Sequence, residues 1–160
     1  MAILLFRVDE RLIHGQVTLG WGERLQPSHY VVVDDALAAS GWEKDLYQLG
    51  TPQEATSDFV GVEEARGRLA EWRRGAERVV LLTRDLDHMT RLARGGALAG
   101  ETVNLGGIHH GPGRRERLSY LFLDDADEER IRALVAEGVN IVAQDLPSST
   151  KTSAARLLDA

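Results

Sequence analysis

Short apolar runs alternate along this chain with segments of helical periodicity, and that alternation restricts the fold more than any other feature. Runs of this length, bounded by polar or turn-forming residues, are typical of strands buried on both faces of a sheet. Strands that alternate with helices predict an α/β fold in which a mostly parallel central sheet lies between two layers of helices. We predict such strands at Ile3–Val8, Tyr30–Val33, Val79–Thr83, Thr102–Leu105 and Asn140–Ala143.

The segments between these strands carry apolar residues three to four positions apart, which predicts helices. They are Gly15–Leu25, Ala36–Leu49 with a local break at Gly41, Glu63–Arg74, Asp85–Arg94, Asp124–Glu137 and a short helix within Gln144–Ala160. Of two weaker apolar runs, Ser57–Val62 is predicted to be a short strand and Leu118–Leu123 a small antiparallel edge or hairpin. Because the sequence contains neither a repeat nor a linker, we expect one domain over residues 1–160.

The overall composition excludes several classes of protein. Hydrophobic residues make up 43% and charged residues 28% of the chain, as in an ordinary globular domain. The net charge of −6 argues against nucleic-acid binding, and the absence of cysteine excludes disulfides and thiolate metal sites. No apolar stretch is long enough to span a membrane, and the N-terminal apolar run is too short for a signal peptide. We therefore expect a cytoplasmic protein.

The segment Phe6–Gly22 gathers side chains suited to phosphate chemistry. A strand followed by a loop and a helix is the arrangement that binds phosphate, because unpaired N–H groups and the positive end of the helix face the same point. Guanidinium groups add paired donors for phosphoryl oxygens, and a neutral imidazole can accept a phosphoryl group. Gly15 is predicted to give the turn its backbone freedom. The charged and imidazole side chains of the loop are Arg7, Asp9, Glu10, Arg11 and His14.

A single histidine after a strand is more often a capping or packing residue than a functional one, and the residues alone leave both interpretations open. The run RVDERLIHGQV, however, closely resembles the motif RIDDRLIHGQV of the IIB components of the mannose/fructose/sorbose type of sugar phosphotransferase system. Val8 and Glu10 are the departures from that motif. The resemblance continues through Val79–Gly96 and Val103–Gly111 and covers essentially the whole chain.

The resemblance implies that His14 carries a phosphoryl group on Nδ1, with no cofactor beyond this covalent phosphohistidine. The group would come from a phosphorylated IIA protein and pass to a sugar held by the IIC and IID membrane components. The chain would then associate peripherally with the membrane transporter complex, and the resemblance leaves a homo-oligomer open. The residues that would bind or support the phosphoryl group are Arg7, Asp9, Arg11, Gly15, Gln16, Gly106 and Gly107.

Two other functions remain open at this stage. One is a regulatory protein phosphorylated on the same histidine, and the other is a domain that binds a phosphorylated ligand without covalent chemistry. A metal site is not expected. Asp34 and Asp35 stand where helix N-terminal carboxylates normally stand, and the adjacent His109 and His110 project differently, so that they rarely bind one ion together.

Overall fold

A seven-stranded sheet forms the centre of the protein. The computed structural model describes residues 2–158, so Met1, Asp159 and Ala160 of the domain expected over residues 1–160 lie outside the described residues. The strands are β1 (Ala2–Val8), β2 (His29–Val33), β3 (Thr56–Val60), β4 (Arg78–Thr83), β5 (Thr102–Leu105), β6 (Arg115–Leu118), β7 (Leu121–Leu123), β8 (Asn140–Ala143) and β9 (Thr152–Ser153). The order in the large sheet is β3-β2-β4-β1-β5-β8-β9, and β6 pairs with β7 in a separate antiparallel sheet.

Helices connect the strands and lie on both faces of the sheet. A π-helix at Gln16–Trp21 continues into α1 (Gly22–Leu25), and the others are α2 (Asp35–Ala38), α3 (Gly41–Leu49), α4 (Val62–Arg74), α5 (Leu86–Ala93), α6 (Asp125–Ala136) and α7 (Ala154–Leu158), with a 3₁₀ turn at Arg94–Gly96. None of the helices in the described part of the chain is both long enough and apolar enough to cross a membrane.

Two apolar clusters pack these helices onto opposite faces of the sheet. Neighbouring residues of β4 divide between the clusters, Leu81 on one face and Leu82 on the other, as the alternation of side chains along a strand requires. The larger cluster includes Leu69 of α4, Met89 of α5 and Leu134 of α6, and the smaller includes Val17 of the π-helix and Leu37 of α2. The prediction of helices on both sides of a mostly parallel sheet is confirmed.

The strand predictions are confirmed with two corrections. β3 ends at Val60, so Val62 of the strand predicted at Ser57–Val62 begins α4 instead, and β9 was not predicted. β5 and β8 have the predicted bounds, Thr102–Leu105 and Asn140–Ala143. Of the edge or hairpin predicted at Leu118–Leu123, the structure shows the hairpin, in which β7 pairs with β6 across a turn at residues 119–120 and β6 begins earlier than predicted, at Arg115. The start of β6 is not apparent from the sequence, because Arg115–Leu118 is mostly charged and its side chains are exposed or half-buried.

The helix predicted at Gly15–Leu25 is present but has a different geometry. An α-helix over this range would place Val17, Trp21 and Leu25 on one side at four-residue steps, whereas Gln16–Trp21 forms a π-helix. A π-helix bonds residue i to residue i+5, so each turn contains an extra residue. Val17 and Trp21 are buried, and Leu25 in the following α1 is only half-buried.

The carboxyl ends of β1, β4, β5 and β8 meet at one edge of the sheet. Beyond the last paired residues, the Asp9 N–H donates to the Thr83 carbonyl and the Gly106 N–H donates to the Val8 carbonyl, at 2.9 and 2.7 Å. The Gln144 N–H donates to the Leu105 carbonyl at 3.1 Å. Ligand sites in open α/β sheets lie at this edge, and these bonds bring the His14 loop and the glycine loop together there.

Candidate functional site

His14 lies at the end of the loop that leaves β1, two residues before the π-helix begins at Gln16. The Val17 and Thr18 N–H groups both donate to the His14 carbonyl at 2.9 Å, which fixes the backbone of His14 to the first turn. The left-handed turn of this loop is at Leu12, whose φ is 56°. Gly15 has a helical φ of −51°, so the prediction that Gly15 supplies the freedom for the turn is wrong. Leu12 is fully buried, and its packing holds the backbone in that conformation.

Asp9 is the acceptor that links the charged groups of the loop. Its Oδ2 atom lies 3.2 Å from His14 Nε2, 3.1 Å from Arg11 Nη2 and 3.2 Å from Arg7 Nη2. Its Oδ1 atom accepts from the Arg11 N–H at 3.0 Å and from Arg11 Nε at 3.1 Å. The Asp9 side chain is 0% exposed, so these donors replace the water that a carboxylate would otherwise need.

The environment of Asp9 keeps this carboxyl group ionised. Burial by itself would raise the pKa of Asp9, but hydrogen bonds from His14 and Arg11 and the charge of Arg7 outweigh burial and hold that pKa well below its usual range. An ionised carboxylate only accepts hydrogen bonds. In the neutral ring, Nε2 of His14 must therefore carry the proton that faces Asp9, and Nδ1 is left with a free lone pair.

Arg11 is the cation of the loop that solvent reaches. Its side chain is 34% exposed, and His14 beside it is 17% exposed. Arg11 Nη2 donates to Gln16 Oε1 at 2.8 Å as well as to Asp9, so Gln16 holds the guanidinium over the loop. Among residues 2–158, no protein acceptor bonds Arg11 Nη1, which leaves donors of this group for a ligand.

Arg7 lies below this surface. Its side chain is 0% exposed and is enclosed by acceptors from three other segments, so in this structure Arg7 is placed to support the loop through Asp9. Burial lowers the pKa of Arg7, and Asp9 partly offsets this effect. The sequence could not reveal the difference between the two arginines of the motif, because a charged side chain is usually exposed.

Gly106 and Gly107 allow the glycine loop to approach both arginines. A Cβ atom added to Gly106 would overlap the guanidinium of Arg7, 2.7 Å from Nε and closer still to Cζ and Nη2. A Cβ atom on Gly107 would lie 2.9 Å from Arg11 Nη2. The Glu10 N–H also donates to the Gly107 carbonyl at 2.9 Å. The predicted position of this loop beside the histidine loop is confirmed.

Adding a methyl group at each glycine should separate their roles. Gly106→Ala is expected to lower the free energy of unfolding by about 1–3 kcal/mol, because the buried Arg7 has no space to move. Gly107→Ala should have a smaller effect, since the half-exposed end of Arg11 can shift. Gly67 of α4 has open space around its Cβ position and provides the control. Gly67→Ala should raise the free energy of unfolding by about 0.5–1 kcal/mol. Denaturant unfolding of the three variants measures this, and a Gly106→Ala variant as stable as the parent would contradict the packing described.

Glu10 joins the two loops through charged hydrogen bonds. Its Oε2 atom accepts from the His109 N–H at 3.1 Å and lies 2.6 Å from His109 Nδ1, and its Oε1 atom accepts from Arg114 Nη1 at 2.9 Å. Although burial tends to raise the pKa of Glu10, the bonds from His109 and Arg114 lower it below its usual value. His110 packs edge-on against Phe122, with ring centroids 5.5 Å apart.

A shallow cavity of about 230 Å³ lies next to the loop, and its walls include Arg11, Gln16, Gly107, Tyr120 and Asp145. This volume is below the roughly 300–1,000 Å³ of typical small-molecule sites. The site is thus a small recess lined by Arg11, beside which the side chain of His14 is partly exposed.

The second group of charged residues lies at the ends of β2 and β4. Asp34, Asp85 and His88 each place one potential metal ligand within 4.8 Å of the others. Their oxygens already have partners, because Asp34 accepts from the Leu37 N–H and from Arg84 Nε, and Asp85 caps α5. Asp35 accepts from the Val62 N–H at 2.9 Å. The prediction of helix-terminal carboxylates at Asp34 and Asp35 is confirmed.

Asn104 is the site residue that the sequence interpretation missed. It is 4% exposed, and its Oδ1 atom accepts a hydrogen bond from Arg7 Nη1. A signal for it exists in the sequence, because Asn104 is the polar residue inside an otherwise apolar part of a strand. Buried polar side chains normally have a specific hydrogen-bond partner.

Comparison with known proteins supplies the family of this chain. Residues 3–160 match the family described as the sorbose subfamily IIB component of the sugar phosphotransferase system. The chain belongs to this IIB family. This IIB component is 30% identical over 152 residues to N-acetylgalactosamine-specific phosphotransferase enzyme IIB component 1 of Escherichia coli K12, covering 93% of this chain and 94% of that protein. The mannose-specific EIIAB component of the same organism is also 30% identical, over 151 residues, which are 94% of this chain and 46% of that longer protein.

Solved structures agree with this assignment. The IIB component superposes on manxB from Thermoanaerobacter tengcongensis with a TM-score of 0.85 and 28% identity, over 98% of this chain and 95% of that one. For the IIBSor domain of the Klebsiella pneumoniae sorbose permease the TM-score is 0.84 and the identity 25%, over 99% and 95% of the two chains. The IIB component is therefore a transferase that acts in sugar transport, between a IIA protein and the IIC and IID components that deliver the sugar.

Proposed function

We propose that His14 is the residue on which this IIB component carries the phosphoryl group, bonded to Nδ1 and without a separate cofactor. In the first step, the Nδ1–P bond forms as the N–P bond to a histidine of phosphorylated IIA breaks. In the second step, the Nδ1–P bond breaks as an oxygen of the sugar receives the phosphoryl group. The activity is that of a protein-N(π)-phosphohistidine–sugar phosphotransferase.

The observation that carries this proposal is the hydrogen bond between His14 Nε2 and the ionised Asp9. It directs the proton of the neutral ring to Nε2 and leaves the lone pair of Nδ1 free to attack phosphorus. The same carboxylate then stabilises the positive charge that the ring gains when Nδ1 bonds to phosphorus. Asp9 thus both orients the ring and neutralises charge, as the acidic member of a catalytic triad does.

The charges around the His14 ring suit a residue that must both accept a phosphoryl group and release it. Beside the ring, Arg7 and Arg11 bring two positive charges and Asp9 brings one negative charge, while the negative charge of Glu10 is balanced by Arg114. Arg11 is the cation with free donors, and one charge-assisted hydrogen bond contributes roughly 1.5–3 kcal/mol. A few such contacts shelter the intermediate without binding it more tightly than the transition state, which would slow onward transfer.

The exposure of the site supports contact with two partners in turn. A phosphorylated IIA protein must bring its phosphohistidine to His14, and the IIC and IID components must later bring the sugar. The recess beside Arg11 is small, which suits a sugar held by the membrane components rather than by this chain. We expect this IIB component to work on the cytoplasmic side, bound peripherally to those components.

Phosphorylation by the donor system tests the proposal. The protein is incubated with phosphoenolpyruvate, enzyme I, HPr and a IIA protein, and its intact mass is measured. A gain of one phosphoryl group that is labile in acid and stable in base, located by peptide mapping to His14, is the expected result. A label on another residue would remove His14 as the acceptor. If the protein binds a phosphorylated ligand without any covalent label, the non-covalent alternative is correct.

A further inference from the structure

Arg7 occupies a buried position directly below Asp9, and its neighbours define how it lies. Arg7 and Asn104 are paired residues in the register of the adjacent strands β1 and β5, so their side chains emerge side by side from one face of the sheet. Arg7 Nη1 donates to Asn104 Oδ1 and, at 2.9 Å, to the Gln144 carbonyl. Arg7 Nη2 donates to the Asp145 carbonyl at 3.0 Å and to Asp9 Oδ2 at 3.2 Å.

The remaining contacts of Arg7 do not fix its rotation. Arg7 Nε is buried without a hydrogen-bond partner, so the third edge of the guanidinium adds no directional bond. Trp21 lies 5.3 Å from Arg7 Cζ, and Gly106 packs against the same group. These contacts restrict movement out of the guanidinium plane. Rotation within the plane is set by the acceptors, and Asn104 Oδ1 is the side-chain acceptor opposite Asp9.

The position of Arg7 matters because Asp9 Oδ2 receives hydrogen bonds from Arg7 and from His14 at once. If the guanidinium rotates, Asp9 can follow it, which moves Oδ2 away from His14 Nε2. If Asp9 does not follow, it loses the bond from Arg7, and only Arg11 and His14 then hold the carboxylate in place. The effect would reach the ring of His14 although Asn104 lies on a different strand.

We propose that Asn104 is a positioning residue for phosphoryl transfer, which holds the Arg7 guanidinium so that Asp9 Oδ2 stays on His14 Nε2 and Nδ1 stays free of the proton. The link to transfer rests on the function proposed above. The link to the state of the ring rests on geometry alone, and it can be tested without a phosphoryl donor.

Nitrogen-15 NMR of the histidine rings tests the proposal. In the parent protein, His14 should show a hydrogen-bonded Nε2–H that exchanges slowly with water, and an Nδ1 shift typical of a nitrogen without a proton. Asn104→Val keeps a strand-forming side chain but removes the acceptor. We expect it to weaken or abolish the slow Nε2–H signal and to slow transfer from phosphorylated IIA about tenfold, which corresponds to about 1.4 kcal/mol.

Two further variants separate positioning from packing. Thr102→Val changes the same strand and face two residues earlier, where Thr102 Oγ1 accepts from Asn140 Nδ2, and should leave the His14 signals unchanged. Asn104→Asp keeps an oxygen near Arg7 Nη1 and should retain the slow Nε2–H. If Asn104→Val does not fold, Asn104→Ser removes the acceptor with a smaller change, because the serine hydroxyl ends one bond short of Arg7.

Unchanged His14 signals in the folded Asn104→Val or Asn104→Ser variant would overturn the inference. It would also be overturned if Asn104→Asp or Thr102→Val lost the slow Nε2–H signal to the same extent as Asn104→Val. Failure of this positioning inference can be distinguished from failure of the proposed function. Phosphoryl labelling of His14 in the parent protein supports the carrier whatever Asn104 does, and the NMR signals report the positioning of the ring even if another residue receives the phosphoryl group.

Discussion

His14→Ala is expected to abolish acceptance of a phosphoryl group from phosphorylated IIA while leaving the chain folded. Removing the ring deletes the nitrogen proposed to attack phosphorus, and residues 9–15 contain no second imidazole. The loss to stability should be moderate, because the described side-chain hydrogen bond of His14 is the one to the ionised Asp9, and a hydrogen bond to a charged group contributes about 1.5–3 kcal/mol. Label incorporation and the melting temperature are measured on the same preparation.

His110→Ala is the matched control for this experiment. His110 is exposed, lies in the neighbouring glycine loop and packs on Phe122, so its removal should leave labelling close to that of the parent protein. Full labelling of His14→Ala would show that another residue carries the phosphoryl group. Complete loss of labelling in His110→Ala would show that the glycine loop takes a direct part in the reaction.

Asp9→Asn should have the largest effect on stability. The substitution keeps the shape of the side chain but removes the charge that balances the fully buried Arg7. Removing one partner of a buried ion pair typically costs about 3–5 kcal/mol, and we expect a loss of that order in the free energy of unfolding. Asp58→Asn is the control, because Asp58 pairs with Arg68 at 2.8 Å on the half-exposed surface, where a pair contributes about 1 kcal/mol or less. Equal losses in the two variants would contradict the role given to Asp9.

Lowering the pH should reduce the difference in the free energy of unfolding between the parent protein and Asp9→Asn. The pKa of Asp9 in the folded state is well below its usual range, since the hydrogen bonds from His14 and Arg11 and the charge of Arg7 outweigh burial. A depressed pKa contributes stability that is fully present above the unfolded pKa of about 4 and is lost as the pH falls toward the folded value. Urea unfolding should therefore show a constant difference from neutral pH down to about 4 and a shrinking one below it. A difference independent of pH in that acidic range would mean that Asp9 is not ionised in the native protein.

The sequence predicted those parts of the fold that depend on local periodicity. β5 and β8 are short buried strands between turn residues, and their bounds follow from composition alone. The π-helix at Gln16–Trp21 does not follow from it, because an ordinary amphipathic helix would show nearly the same pattern. The strand at Arg115–Leu118 depends on pairing with Leu121–Leu123 rather than on its own residues, most of which are charged.

The candidate site was predictable as a set of residues but not as a set of roles. The family motif brings His14, Asp9 and Arg11 together, and the structure places them within hydrogen-bond distance around one carboxylate. The two arginines of the motif differ in burial, 0% for Arg7 against 34% for Arg11, because Arg7 faces inward from β1 and Arg11 lies beyond the strand. That difference depends on the register of β1 with β5, which brings Asn104 beside Arg7 and which the sequence of either strand alone does not determine.

The left-handed backbone at Leu12 has a consequence for the speed of the reaction. A leucine in this conformation stores about 1–2 kcal/mol of strain, which the packing of its fully buried side chain balances. The loop between Asp9 and His14 therefore takes its shape when the chain folds, and a visiting protein need not rearrange it. For the proposed transfer through His14, we therefore expect a rate that is limited by how often partners meet rather than by how slowly this loop adapts.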